Sequence, residues 1–307
     1  MNANDAVDIG RFVAEAYAMY DADPTNLQPK KTSCFPSGYD LVAWITMADF
    51  FGDVSDRVFY GIIAASQAAP SAVVVAIRGT QGAIEWWDDL HFGLVPFSQN
   101  PAAGEVAEGF DSIYETLRVT PVGRAFDVTF TSGSFAEDVR RTLAPFGFTA
   151  TKTPAALVAT GHSLGSALIS LYVLDNAAKY PELRPAVYTF ASPRVGDVRF
   201  VGSFNALQLT SYRIANLPDL VPYLPPEVLG FAHVDQLVAV DSTRSARWTL
   251  ACAHALNTYL HVLEPAAVKL DSSSLPIFGA ARSGSGHSTM VLGLPDSANS
   301  GLSSCRP

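Results

Sequence analysis

Charge is scarce in this sequence. Asp, Glu, Lys and Arg make up 16% of its 307 residues, below the ~25% of an ordinary globular chain. Positive charge is scarcest: 20 Lys and Arg stand against 29 Asp and Glu, a formal net charge of −9. A phosphate backbone repels such a chain, so nucleic acid is not an expected partner. An anionic bilayer is disfavoured too, so any lipid contact has to be apolar. Long hydrophobic runs are also missing. The uncharged stretch from Tyr60 to Ile77 is interrupted by Gly61, Ser66, Gln67, Pro70 and Ser71, which predicts two strands and a turn rather than a membrane span. Cysteine occurs three times, at Cys34, Cys252 and Cys305. An odd number excludes a complete disulfide framework. A single bridge between the chain ends, Cys34 to Cys305, stays open, but three thiols are the favoured reading. There is no H-E-x-x-H and no Cys/His cluster with ligand spacing, so neither a catalytic metal nor another cofactor is expected. The first ten residues, MNANDAVDIG, carry no basic stretch and place Asp5 and Asp8 early. They do not read as a secretory leader. The compartment stays open between cytoplasmic and a processed or leaderless secreted form.

What is present is apolar: 49% of residues are hydrophobic, in a chain long enough to bury a sizeable core. Ile9, Phe12, Val13, Ala16 and Tyr20 recur at helical spacing, and Asp23-Pro24 ends that helix. Three strand-like runs follow, LVAWITMA (41–48), VFYGIIAA (58–65) and AVVVAI (72–77). The last is apolar without alternation, as a strand buried on both faces should be. Phe110, Ile113, Tyr114 and Leu117 mark an amphipathic helix. Ser134 and Glu137 have the spacing of a capping box ahead of another. AALVAT (155–160), AVYTFA (186–191) and LTSYRIA (209–215) are further strands, and the helix after residue 163 is apolar almost all round. Strands alternating with helices predict an α/β fold, a mostly parallel central sheet with helices on both faces. Residues 1–270 read as a single domain. Residues 271–307, rich in Ser, Gly and Pro, read as an irregular tail.

The chemistry concentrates at VATGHSLGSAL, 158–168. A G-x-S-x-G match arises by chance in about one chain in ten of this length, given Gly near 7%. Its context says more. A buried strand precedes Ser163 and a buried helix follows, the order needed to lift a serine clear of a sheet on a strained turn. The helix N-terminus would then aim free N–H groups at developing negative charge. A hydroxyl needs a base, and the base needs a third group to orient it. In that arrangement the acid and then the histidine follow the serine in the chain. Asp219 and Asp197 are the candidate acids. Placement in a stiff loop, between Pro218 and Pro222 just after the strand LTSYRIA, favours Asp219. The downstream histidines are His233, His254, His261 and His287. His287 lies in the tail, a poor place for a rigid base. If CAHALNTYLHVL is one helix, His254 and His261 are about 10 Å apart along it. His254 would stand at its start, where the dipole favours the neutral imidazole of a base. The residues alone leave His233 and His261 open.

Several blocks in series resemble the fungal-type, or class 3, lipases of the α/β-hydrolase fold: VVVAIRGT, EWWDDL, EGF, TGHSLGSAL, TFASPRVGD, NLPDLVPYLPP and HALNTYLH. The resemblance spans roughly residues 40 to 262. It implies a serine ester hydrolase with Ser163 as nucleophile, Asp219 as acid and His254 as base. It implies oxyanion donors at Thr80 and at the N–H of Leu164, and a lid at QGAIEWWDDL carrying Trp86 and Trp87. It implies a small-molecule or lipid ester as substrate, met at an oil–water interface without stable membrane insertion. Triacylglycerol lipase or carboxylesterase is the first activity expected. Phospholipase A1 or galactolipase, and feruloyl-type esterase, use the same triad. A non-catalytic interaction protein on the same fold is the reading from another class, against which every triad position is filled. Two departures stand out: Ser166 replaces a glycine usual in the family, with little effect expected, and Ala107 stands where a histidine is frequent.

Overall fold

The computed structural model describes residues 1–48, 57–68, 72–80, 91–124, 133–146, 156–234 and 236–270. The chain enters through helix α1 (Ala3–Ala22), capped by the Asn2 side chain on the Asn4 N–H. Strands β1 (Tyr39–Ala48), β2 (Arg57–Ser66) and β3 (Ala72–Ile77) follow. The short β4 (Leu94–Pro96) and β5 (Glu105–Ala107) lead into α2 (Glu108–Glu115), β6 (Arg118–Pro121) and α3 (Phe135–Leu143). Next come β7 (Ala156–His162), α4 (Leu164–Lys179), β8 (Ala186–Phe190), β9 (Gly196–Asp197) and α5 (Val198–Ala206). β10 (Ser211–Asn216), β11 (Phe231–Ala232), β12 (Leu237–Val240), α6 (Leu250–His254) and α7 (Leu256–Leu263) complete the described chain. The main sheet has the order β12-β10-β8-β7-β3-β2-β1-β6. From β3 to β12 neighbours pair in parallel, while β3-β2, β2-β1 and β1-β6 pair antiparallel. This is the α/β-hydrolase arrangement, a mostly parallel sheet with helices on both faces.

The two faces can be read from β3. Val73, Val75 and Ile77 join the core under α2, α3, α4 and α5. Val74 and Ala76 join the core under α1 and α7. Period-two geometry sends alternate side chains to opposite faces, so a strand covered on both sides is apolar throughout. Helix α4 shows the same logic in three dimensions: Leu164 to Asn176 is buried without a break. The Ser134–Glu137 capping box forms, with each side chain on the other's main-chain N–H.

The structure differs from expectation in four places. The stretch from Leu250 to Leu263 is not one helix. Ala255, at φ −59° and ψ 131°, is extended and divides it into α6 and α7. His254 therefore closes a short helix rather than opening a long one. The four-stranded sheet β11-β9-β5-β4 was not predicted, since strands of two or three residues carry no periodicity. Cys34 is disulfide-bonded, and Cys252 is a free thiol, so the three-thiol reading is corrected. Ser166 has a structural part to play, described below. The 271–307 tail lies outside the described residues, and among those described no helix is long and apolar enough to cross a membrane.

Candidate active site

Ser163 sits between the last residue of β7 and the first of α4. Its backbone is held at φ 56° and ψ −123°, a region where a Cβ is strained. The turn is this sharp because strand and helix touch. A Cβ on Gly161 would lie 2.4 Å from the Gly165 carbonyl oxygen, and one on Gly165 would lie 2.2 Å from that of Ile77. The Ser163 N–H donates to the Phe190 carbonyl at 2.9 Å, tying the turn to β8. The Ser166 hydroxyl lies 2.8 Å from both the Gly161 and the Phe190 carbonyls. A glycine at 166 could not make this clamp, so the substitution reinforces the elbow.

The three residues singled out in sequence meet here. His254 Nε2 lies 2.9 Å from Ser163 Oγ, and His254 Nδ1 lies 2.9 Å from Asp219 Oδ2. All three are buried. Asp219 stands three residues beyond the end of β10, at the C-terminal edge of the sheet, and its other oxygen accepts the Val221 N–H at 3.0 Å. The carboxylate that faces the imidazole also accepts the Tyr259 hydroxyl at 2.6 Å. Burial, then the neighbouring Asp219 charge, push the Tyr259 pKa well above its ordinary value. Tyr259 thus stays protonated and keeps donating.

The alternatives are placed elsewhere. Asp197 caps α5 through the Phe200 N–H at 2.7 Å. His233 donates through Nε2 to the Pro222 carbonyl at 2.6 Å, and burial together with Arg213 lowers its pKa to about 3. A base that weak takes no proton from a hydroxyl near neutrality. His261 bonds the Val268 carbonyl through Nδ1. His287 and the expected lid residues Trp86 and Trp87 lie outside the described residues.

Thr80 lies in the loop after β3, beside the nucleophile: a Cβ on its neighbour Gly79 would come within 2.9 Å of Ser163 Cβ. The Thr80 hydroxyl is buried and has no hydrogen-bond partner among the described residues. A polar group left in that state costs about 1–3 kcal/mol. Leu164 opens α4, so its N–H has no acceptor within the helix. Two donors are therefore available beside Ser163. Ala107 is buried at the start of α2 and donates its N–H to Val195, a main-chain role open to any residue. Among the described residues no group of three His, Cys, Asp or Glu side chains is placed to hold a metal ion.

Four supporting residues carried no assignment in the sequence. Asn216 Nδ2 lies 2.8 Å from both the Ala253 carbonyl and Ser242 Oγ, and its Oδ1 accepts the Ser242 N–H. It fastens the segment before His254 to the end of β10. Tyr259 stands five residues after His254, a spacing visible in HALNTYLH whose role only the coordinates reveal. His162, inside the G-x-S-x-G motif, and Tyr17 on α1 are hydrogen-bonded to each other at 2.9 Å; nothing in the local sequence marks Tyr17.

The chain is similar to several known proteins. Phospholipase A1-IIgamma of Arabidopsis thaliana is 31% identical over 207 residues, covering 62% of this chain and 47% of its own length. Phospholipase A1-II 3 of Oryza sativa subsp. indica is 32% identical over 237 residues, covering 68% and 53%. The chain spans about half the length of these curated relatives. Among solved structures, the lipase from Rhizopus microsporus var. chinensis superposes with a TM-score of 0.57 at 22% identity, covering 78% of this chain and 74% of that one. The Rhizomucor miehei lipase propeptide complex gives 0.57 at 21% identity, covering 77% and 68%. Both are likenesses of fold. Residues 74–229, half of the chain, match the family model for lipase (class 3), and they hold the strand, elbow, helix and acid loop just described: the chain belongs to the class 3 lipase family.

Proposed function

We propose that this protein is a serine ester hydrolase acting on lipid-like esters, with Ser163, His254 and Asp219 as its catalytic triad. The observation that carries this is the continuous hydrogen-bonded line from Ser163 Oγ through both nitrogens of His254 to Asp219 Oδ2, 2.9 Å at each step. His254 takes the Ser163 proton as Oγ attacks the ester carbonyl. The imidazolium that forms is stabilised by Asp219, which also holds the tautomer with Nε2 free to accept. The Thr80 and Leu164 N–H groups take the oxyanion, each worth about 3–4 kcal/mol of transition-state stabilisation. His254 then passes its proton to the leaving alcohol, and water cleaves the acyl-enzyme by the same route.

Triacylglycerol lipase or carboxylesterase activity is the first reading. Phospholipase A1 activity is the second, and the two plant relatives of that name, at 31% and 32% identity, favour it. The test is hydrolysis of p-nitrophenyl esters from C2 to C16, emulsified triglyceride and phosphatidylcholine vesicles, with Ser163→Ala as control. Turnover of the longer esters that Ser163→Ala abolishes is the expected result. A faster rate on phosphatidylcholine than on triglyceride selects the second reading. Turnover confined to short soluble esters defeats the lipid assignment, and a fully active Ser163→Ala defeats the site.

A further inference from the structure

His162 and Tyr17 are both buried and both touch the site without being part of the triad. The direction of every hydrogen bond between them can be worked out. His162 Nε2 lies 2.8 Å from the main-chain carbonyl oxygen of His254. A carbonyl only accepts, so Nε2 carries the proton. Burial, with His254 alongside, holds the His162 pKa well below its ordinary value, so the ring is neutral and Nδ1 is a bare acceptor. Nδ1 lies 2.9 Å from the Tyr17 hydroxyl, which must donate to it. The Tyr17 oxygen in turn accepts the Gly79 N–H at 2.7 Å. The chain of donors runs one way, from Gly79 through Tyr17 and His162 to His254.

Its two ends are the loop that carries Thr80 and the main chain of His254. Gly79 precedes Thr80, and the Gly79 carbonyl is fixed from the other side by Arg78 Nη1 at 2.8 Å. In a trans peptide the next N–H points opposite that carbonyl, so the Thr80 N–H is aimed once Gly79 is held. At the far end, α6 stops at His254 because Ala255 is extended. The His254 carbonyl is consequently left without a helical partner, and His162 supplies one. Arg78 is itself fixed, its guanidinium stacked 3.7 Å from the Tyr20 ring centroid and 4.1 Å from that of Tyr60.

We propose that Tyr17 and His162 form a positioning bridge that holds the oxyanion loop and the main chain of the catalytic base in one register. The proposal rests on the ester-hydrolase reading above. The bridge touches no substrate. It acts through Gly79 at one end and His254 at the other, so its loss misplaces transition-state contacts while leaving ground-state binding alone.

The experiment measures kcat and KM on p-nitrophenyl butyrate for wild type, Tyr17→Phe, His162→Phe and the double variant, with thermal melts of each. Tyr17→Phe removes one hydroxyl and keeps the ring. A fall in kcat of about 10- to 100-fold is expected for Tyr17→Phe, with KM within about twofold. The double variant should lose no more than the worse single one, because one bridge is cut twice. An unchanged kcat in Tyr17→Phe, even with a lowered Tm, overturns the bridge and leaves a packing role. Losses that multiply in the double variant also overturn it. If His162→Phe does not fold, the kcat and KM of Tyr17→Phe alone decide. Wild-type turnover that does not depend on Ser163 refutes the function and the bridge together. Ser163-dependent turnover with a normal Tyr17→Phe refutes the bridge only.

Discussion

Replacing Ser163 by glycine should cost the fold at most about 0.5 kcal/mol more than replacing it by alanine, far less than the same exchange at an unstrained site. Both variants lose the hydroxyl and its 2.9 Å contact with His254, so the comparison isolates one methyl group and the backbone. At an unstrained buried position the glycine variant is the weaker. Losing a buried methyl removes about 0.8 kcal/mol, and the greater freedom of glycine in the unfolded chain costs about 0.5–1 kcal/mol more. The expected deficit is then about 1.5 kcal/mol. At φ 56° and ψ −123°, alanine keeps about 1–3 kcal/mol of strain that glycine escapes. The balance runs from roughly 0.5 kcal/mol against glycine to roughly 1.5 kcal/mol in its favour. Urea unfolding at 25 °C of the two inactive variants measures the difference, provided their slopes agree. Ala167→Gly, a fully buried residue one turn later in α4, is the unstrained control and should lose about 1–2 kcal/mol. A glycine variant at 163 weaker than its alanine partner by as much as the control would show that the elbow is unstrained, and the reasoning would fail.

Four further outcomes are expected. Gly165→Ala would place a Cβ 2.2 Å from the Ile77 oxygen and 2.6 Å from that of Arg78, neither able to step aside; about 1–3 kcal/mol of stability should go, with slower phosphonate labelling of Ser163. Tyr259→Phe leaves the buried Asn216 N–H without its 3.1 Å acceptor and removes a donor to Asp219; a loss of about 1.5–3 kcal/mol is expected in urea melts, and no change would count against the bond. Asp219→Asn should lower kcat by about 10⁴-fold, the size of the same change in another Ser-His-Asp triad, while a loss below tenfold would remove Asp219 from the mechanism. For pH, His162 and His233 both have depressed folded pKa values against about 6.5 unfolded. The unfolded chain therefore takes up protons first. Their contribution is complete above about pH 6.5 and falls below it, by up to ~1.4 kcal/mol per pH unit for each ring. The raised carboxyls Glu15, Asp111 and Asp138 act in the opposite sense at lower pH, so the check compares wild type with His233→Gln between pH 7.5 and 5; parallel curves would refute the assignment.

Much of the fold was legible because its strongest signals are local. AVVVAI reads as a strand covered on both faces, and β3 spans those six residues. The Ser134–Glu137 spacing reads as a capping box, and the box is there. Glycines at 161 and 165 read as room for a close approach, and each Cβ would meet main chain. The placement of Asp219 beside His254 was legible for a related reason. A carboxylate in a proline-stiffened loop just beyond a buried strand has few places to go, and Asp197, its rival, was needed to cap α5.

The placement of His254 was harder, and the cause is physical. Nothing in CAHALNTYLHVL (252–263) marks a break, so the reading considered was one helix with His254 at its start. What breaks that helix is not a proline or a glycine but an alanine, whose intrinsic preference is to continue. The break is enforced from outside. Asn216 takes the Ala253 carbonyl, His162 takes the His254 carbonyl, and the Tyr259 hydroxyl accepts the Asn216 N–H. These partners stand 37, 92 and 43 positions from the residues they bond, well beyond any local window. Tertiary contacts override a strong local propensity at the residue next to His254, and the gain is two main-chain carbonyls turned outward as handles. A base on a continuous helix would have its carbonyl spent within the helix, and its position would follow the helix as a whole. Here His254 is gripped by the strand before Ser163 through His162, and its neighbour Ala253 by the strand before Asp219 through Asn216. The distance between Ser163 and His254 is thus set by two strands of one sheet, β7 and β10.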